Sequence, residues 1–145
     1  MIVYLDTSAL VKHYVQESGS EGVERVIGEA RLVGTAAITR VEMAAALAKA
    51  VRMCLLSRDE AADALSAFEA EWGSLVRLQL HELLLARAAS LAWERGLRGY
   101  DAVHMASALF WRDIVGEPVV FATYDRELWE EAVRSGLKVF PEDRP

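Results

Sequence analysis

Asp6, Glu42, Asp101 and Asp125 are the side chains whose type and placement could do chemistry. Asp6 directly follows Ile2-Val3-Tyr4-Leu5, and Asp125 comes just after Val119-Val120-Phe121-Ala122-Thr123. Each acid taken singly has a structural explanation. Asp6 and Asp125 sit where an N-cap would open the next helix, and Asp101 after Arg98-Gly99-Tyr100 holds a similar place. Thr39-x-x-Glu42 matches a capping box. Taken together they point to metal chemistry. Converging carboxylates repel one another and raise each other's pKa, which a fold tolerates when a cation offsets the charge. An all-oxygen ligand set selects a hard ion, Mg²⁺ or Mn²⁺. Two such ions about 4 Å apart can activate water and stabilise the leaving oxygen of a phosphodiester. The expectation is a metal-dependent hydrolase with Asp6, Glu42, Asp101 and Asp125 as ligands.

Such convergence needs a scaffold. Five short β-branched or aliphatic segments predict strands at 2–5, 31–36, 75–80, 118–122 and 137–140. Between them, apolar residues at helical spacing predict helices at 8–15, 20–28, 40–53, 58–72, 81–95, 102–112 and 126–134. Buried strands alternating with helices imply right-handed crossovers, so the expected class is α/β: a three-layer α/β/α sandwich with a mostly parallel five-stranded sheet. Ligands of open parallel sheets bind outside the carboxyl ends of the strands, where Asp6 and Asp125 would lie. Gly28, Gly34, Gly73, Gly96, Gly99, Gly116 and Gly136 are expected near element ends, and no linker or repeat divides the chain, so residues 1–145 are expected to form one domain.

The composition is that of a packed globule, 53% hydrophobic with only 3 Pro and 9 Gly in 145 residues. No run approaches the roughly 18 apolar residues of a membrane span, and Asp6 interrupts the first apolar segment before a signal-peptide core could form, so a cytoplasmic protein is expected. Cys54, the single cysteine, is expected to be a small buried residue and excludes a zinc-thiolate site. The net charge of −6 argues against a nucleic-acid substrate, but setting aside the four candidate ligands leaves −2, and local charge decides.

The segments Ile2-Val3-Tyr4-Leu5-Asp6-Thr7-Ser8-Ala9-Leu10-Val11-Lys12, Thr39-Arg40-Val41-Glu42, Tyr100-Asp101-Ala102-Val103-His104-Met105-Ala106-Ser107-Ala108 and Thr123-Tyr124-Asp125-Arg126-Glu127-Leu128, in that order, resemble a PIN-domain ribonuclease. Within that family the chain looks most like the VapC toxins of toxin–antitoxin pairs, over nearly its whole length. The resemblance implies a parallel PIN-like sheet, Mg²⁺-dependent endoribonuclease activity on RNA, a homodimer and a cognate VapB-type antitoxin. It also implies catalytic roles for Asp6, Glu42, Asp101 and Asp125, with Thr7 and Thr123 orienting carboxylates or water. The family includes RNA-processing nucleases without an antitoxin, and a PIN module that binds without cutting is the non-enzyme alternative. A haloacid-dehalogenase-like phosphotransferase would carry a second Asp where Ser8 stands, and a receiver domain would need an acidic pair after the first strand.

Other residues carry weaker signals. Arg40, Lys49, Arg52 and Arg58 form a basic segment that could guide an RNA backbone or simply solvate a helix face, and Lys12 and Arg98 are further candidates for phosphate contact. His104, one turn after Asp101, is a candidate general base, although a histidine there more often packs or bonds a neighbouring group. Trp72, Trp93, Trp111 and Trp129 are expected as core or interface anchors. The alanines from Ala37 to Ala50 offer a surface for close packing, within the subunit or against a partner.

Overall fold

A computed structural model describes residues 1–145. The elements run β1 (Ile2–Leu5), α1 (Thr7–Tyr14), α2 (Ser20–Glu29), β2 (Leu32–Ala36), α3 (Thr39–Arg52), α4 (Arg58–Glu71), a 3₁₀ turn (Trp72–Ser74), β3 (Val76–Leu78), α5 (Glu82–Arg95), α6 (Gly99–Val115), β4 (Val119–Ala122), α7 (Arg126–Arg134) and β5 (Lys138–Phe140). Every strand and helix expected from the sequence is present. Boundaries differ most at α6, which extends three residues earlier and three later than its apolar spacing suggests.

All strand pairs are parallel, in the order β3-β2-β1-β4-β5. The chain steps outward from β1 through β2 to β3, then returns to lay β4 on the other side of β1. The strand order therefore reverses between β1 and β4, and in open parallel sheets such a reversal marks a binding crevice outside the carboxyl ends of the strands. Leu5 pairs with Ala122 in that register, so Asp6 and Thr123 leave the sheet side by side.

The central strand is apolar throughout because both of its faces are covered. Ile2 and Tyr4 join the core shared with α5, α6 and α7. Val3 and Leu5 join the opposite core with Ala9, Leu10, Met43, Phe68 and Trp72 from α1, α3, α4 and the 3₁₀ turn. Gly96 and Gly116 close α5 and α6 in the left-handed conformation, as C-cap glycines should. Gly34 departs from expectation: it lies inside β2, where an added Cβ would stand 2.7 Å from the Trp111 ring and 3.0 Å from the Val76 carbonyl oxygen. It is a packing glycine that lets the indole of α6 lie on the sheet. Gly34→Ala should therefore destabilise the protein by about 1–3 kcal/mol in denaturant unfolding, the usual cost of overpacking.

Two further expectations fail. Cys54 is exposed, because α3 ends one residue earlier and the chain turns outward through Cys54 at a left-handed φ of 57°. Trp93 is 89% exposed on α5, whereas Trp72 and Trp111 are buried and Trp129 is half-buried, donating its indole N–H to the Pro141 carbonyl at 2.8 Å. No helix is long and apolar enough to cross a membrane.

Candidate active site

Asp6 is 4% exposed at the end of β1, a costly place for an ionised group. Its Oδ1 accepts from the Ser8 hydroxyl at 2.7 Å and the Ala9 N–H at 3.1 Å, and its Oδ2 accepts from the Thr123 hydroxyl at 2.9 Å. Asp6 thus caps α1, as expected, but it is also tied across the crevice to β4. Thr123 in turn accepts from the Asp125 N–H at 3.1 Å, and the Ser8 hydroxyl accepts from the Tyr124 N–H at 2.8 Å. Asp125 caps α7 by accepting the Leu128 N–H at 2.9 Å. Two of the four acids therefore do hold helix ends.

The other two do not. The cap position of α3 is Ile38, with no side-chain bond, and Thr39 instead shares a 2.7 Å hydrogen bond with Thr35 inside the fold. The expected capping box is absent, because Glu42 turns toward the crevice and accepts from the Thr7 hydroxyl at 2.7 Å and pairs with His104 at 2.5 Å, all on Oε1. Likewise Arg98, not Asp101, stands at the cap of α6. Asp101 lies in the first turn and accepts from Arg98 Nε at 2.9 Å, while another nitrogen of the same guanidinium reaches Asp125 Oδ2 at 2.9 Å. Helix capping explains neither Glu42 nor Asp101.

Asp6, Asp125 and Asp101 are linked by hydrogen bonds through Thr123 and Arg98, while Glu42 bonds separately to Thr7 and His104, and no three of the acids stand close enough to grip a single ion. Uncompensated carboxylates hold apart, and the cation nearest to hand, Arg98, bridges Asp101 and Asp125. The donor set nevertheless fits a hard divalent cation. Every candidate ligand atom is oxygen, and Glu42 Oε2 and Asp101 Oδ1 accept no protein hydrogen bond. The Arg98 side chain is 71% exposed, and exposed ion pairs hold weakly, so a divalent ion can replace it.

The electrostatics point the same way. Burial raises the pKa of Asp6 against the pull of His104 and the bonds from Ser8, Ala9 and Thr123. Burial likewise raises Asp101, helped by the charge of Asp125 and opposed by Arg98. Burial would raise Glu42 too, but its bonds from His104 and Thr7 outweigh it and hold that carboxyl below its ordinary value. Burial thus makes the charged forms of Asp6 and Asp101 costly, a cost that a bound cation would relieve.

Other expected site residues fall elsewhere. Lys12 is occupied by Glu17, by the Ser18 carbonyl and by the Tyr124 ring face, and Arg40 pairs with Glu69. Lys49, Arg52 and Arg58 remain exposed. His104 is 2% exposed with both ring nitrogens bonded, which leaves no room for work as a general base. Ser8, which orients Asp6, was not singled out, although its place two residues after an Asp is a common turn-bonding position. A cavity of about 1230 Å³ lies between α2 and β5 and includes none of the four acids.

The chain matches the PIN domain over residues 3–133. The protein is a member of the PIN domain family. It is 36% identical to Ribonuclease VapC45 of Mycobacterium tuberculosis over 141 residues, 97% of this chain and 95% of that protein. It is 33% identical to Ribonuclease VapC3 of Pyrobaculum aerophilum over 133 residues, 90% of this chain and 95% of that one. Among solved structures it superposes on FitAcB from Neisseria gonorrhoeae with a TM-score of 0.65 at 18% identity, covering 97% and 98% of the two chains. It superposes on M. tuberculosis VapC20, described as a sarcin-ricin loop cleaving toxin, with a TM-score of 0.64 at 17% identity, covering 99% of each.

Proposed function

We propose that this protein is a divalent-metal-dependent endoribonuclease and the toxin of a toxin–antitoxin pair. One observation supports the catalytic part: Glu42 bonds Thr7 next to Asp6, Arg98 bridges Asp101 to Asp125, and helix capping accounts for neither Glu42 nor Asp101. Identity above 30% to two VapC ribonucleases along nearly the full chain supports RNA as the substrate. The same likeness supports a VapB-type antitoxin, a homodimer and work in the cytoplasm. Exposed Val41, Leu55, Leu83 and Trp93 are apolar side chains that such partners could cover.

Asp6, Glu42, Asp101 and Asp125 would hold Mg²⁺ or Mn²⁺. Such ions, when bound, would supply the Lewis acidity that activates water and offsets charge on a phosphodiester. Thr123 and Ser8 hold Asp6, the Asp125 backbone is fixed through Thr123, and Thr7 steadies Glu42, so the ligands are oriented before substrate arrives. Arg98, freed from the two acids, has the planar donor fork suited to an RNA phosphate. Exposed Lys49, Arg52 and Arg58 extend a path for the RNA backbone along the far end of α3.

Total cellular RNA incubated with Mg²⁺ or Mn²⁺, followed by mapping of new ends, tests the activity. Discrete new ends that vanish with chelator are expected. Cleavage unaffected by chelator would overturn metal dependence, and intact RNA from a protein that binds metal would favour the non-cutting module.

The raised pKa values of Asp6 and Asp101 fix the direction of the pH response. Without metal, each group binds its proton more tightly folded than unfolded, so stability contributed by these two groups rises as pH falls through their raised values. With metal the order reverses, since protons compete for the same oxygens. The rise in Tm caused by Mn²⁺ should shrink on acidification, and begin to do so at a higher pH than ordinary aspartates would dictate. A rise that keeps its size down to the ordinary aspartate pKa would contradict this assignment.

A further inference from the structure

His104 and Tyr4, far apart in sequence, form a buried chain that ends on Glu42. The Tyr4 hydroxyl lies 2.8 Å from His104 Nδ1, and His104 Nε2 lies 2.5 Å from Glu42 Oε1. Tyr4 is fully buried, with its ring stacked on Phe121 at 5.3 Å between centroids, and His104 is 2% exposed on α6. An ionised carboxylate only accepts, so Nε2 must carry a proton facing Glu42. In a neutral ring Nδ1 is then an acceptor, which the Tyr4 hydroxyl satisfies as donor. A phenol, with an ordinary pKa of about 10, has the proton to donate near neutral pH. The sheet thus fixes Tyr4, Tyr4 fixes the imidazole, and the imidazole fixes one oxygen of Glu42.

We propose that Tyr4 and His104 are positioning residues that hold Glu42 Oε1, together with Thr7, so that Oε2 is presented for the catalytic cation. The inference rests on the metal-dependent reading above and assigns a role to residues outside the acidic set. Glutamate has three side-chain torsions, and fixing them beforehand lowers the entropy lost when the carboxylate takes up an ion. Partners that orient a ligand from behind commonly contribute 10–100-fold in metal affinity or activity. Tyr4 and His104 are both buried from solvent, which separates this role from general-base catalysis.

The test is Mn²⁺ affinity of the full chain by titration calorimetry, for wild type, His104→Leu, His104→Gln, Tyr4→Phe and Glu42→Gln. His104→Leu should weaken binding about 10–100-fold and Tyr4→Phe should weaken it in the same direction. His104→Gln, whose amide can still donate to Glu42, should retain most of the affinity. In a Glu42→Gln background, His104→Leu should add nothing, because the two act as one unit. Lowered stability in chelator with unchanged Mn²⁺ affinity in His104→Leu, or in Tyr4→Phe where the leucine variant does not fold, would overturn the proposal. Imidazole nitrogen spectra of metal-free wild type give an independent reading: a proton on His104 Nε2 is expected, and a bare Nε2 overturns the inference whether or not metal binds. Failure of wild type to bind Mn²⁺ with Nε2 protonated would instead overturn the metal reading while leaving the hold on Glu42 in place.

Discussion

If Asp101 holds the metal as proposed, Asp101→Asn should reduce RNA cleavage by about 10–100-fold or more while leaving the fold intact, since losing a ligand costs no less than losing a residue that orients one. The substitution is nearly isosteric, and Asp101 makes no backbone cap whose loss could unfold α6. What changes is charge. Asn loses one unit of negative charge at an oxygen that now accepts no protein hydrogen bond, and Arg98 keeps Asp125 as its partner. A small effect on cleavage at saturating RNA and Mn²⁺, checked by single-turnover rates, would place Asp101 outside the reacting centre.

Asp6→Asn is expected to move stability and function in opposite directions. The carboxylate is almost wholly buried, and burial has raised its pKa, so its ionised form costs folding free energy at neutral pH. Asn keeps an oxygen for the Ser8 hydroxyl and the Ala9 N–H and so preserves the cap of α1. Its amide N–H₂ would face Thr123, whose hydroxyl must reverse to accept. In chelator the variant should therefore unfold at a higher temperature than wild type, by roughly 2–8 °C for each 1 kcal/mol gained. With Mn²⁺ the advantage should disappear, since wild type gains stability from the ion and the variant does not. A variant less stable than wild type in chelator would show that the hydrogen bonds to Asp6 outweigh its desolvation.

The strand and helix pattern was legible because both periodicities are strong: β1 is apolar throughout, and α6 carries apolar residues around most of its surface. The preference for parallel crossovers put Asp6 and Asp125 at the carboxyl edge of the sheet, but the pairing of β1 with β4 that sets Asp6 beside Thr123 had no local signal in the sequence. Local motif matching failed where tertiary contacts took the side chains elsewhere. Thr39 and Glu42 have capping-box spacing, but Thr35, Thr7 and His104 offered them better partners across the fold. Gly34 looked like punctuation because its reason, the Trp111 ring, lies 77 residues away in sequence. The Tyr4–His104 bond spans 100 residues, and no local pattern could announce it.

Metal binding by the four acids is the claim on which the rest depends, and titration of Mn²⁺ into wild type and into the Glu42→Gln, Asp101→Asn double variant tests it without any choice of RNA. Saturable binding by wild type that is lost in a double variant of native fold is the predicted result. Equal binding by the two proteins, or none by either at millimolar Mn²⁺, would contradict the account and leave these carboxylates as structural acids.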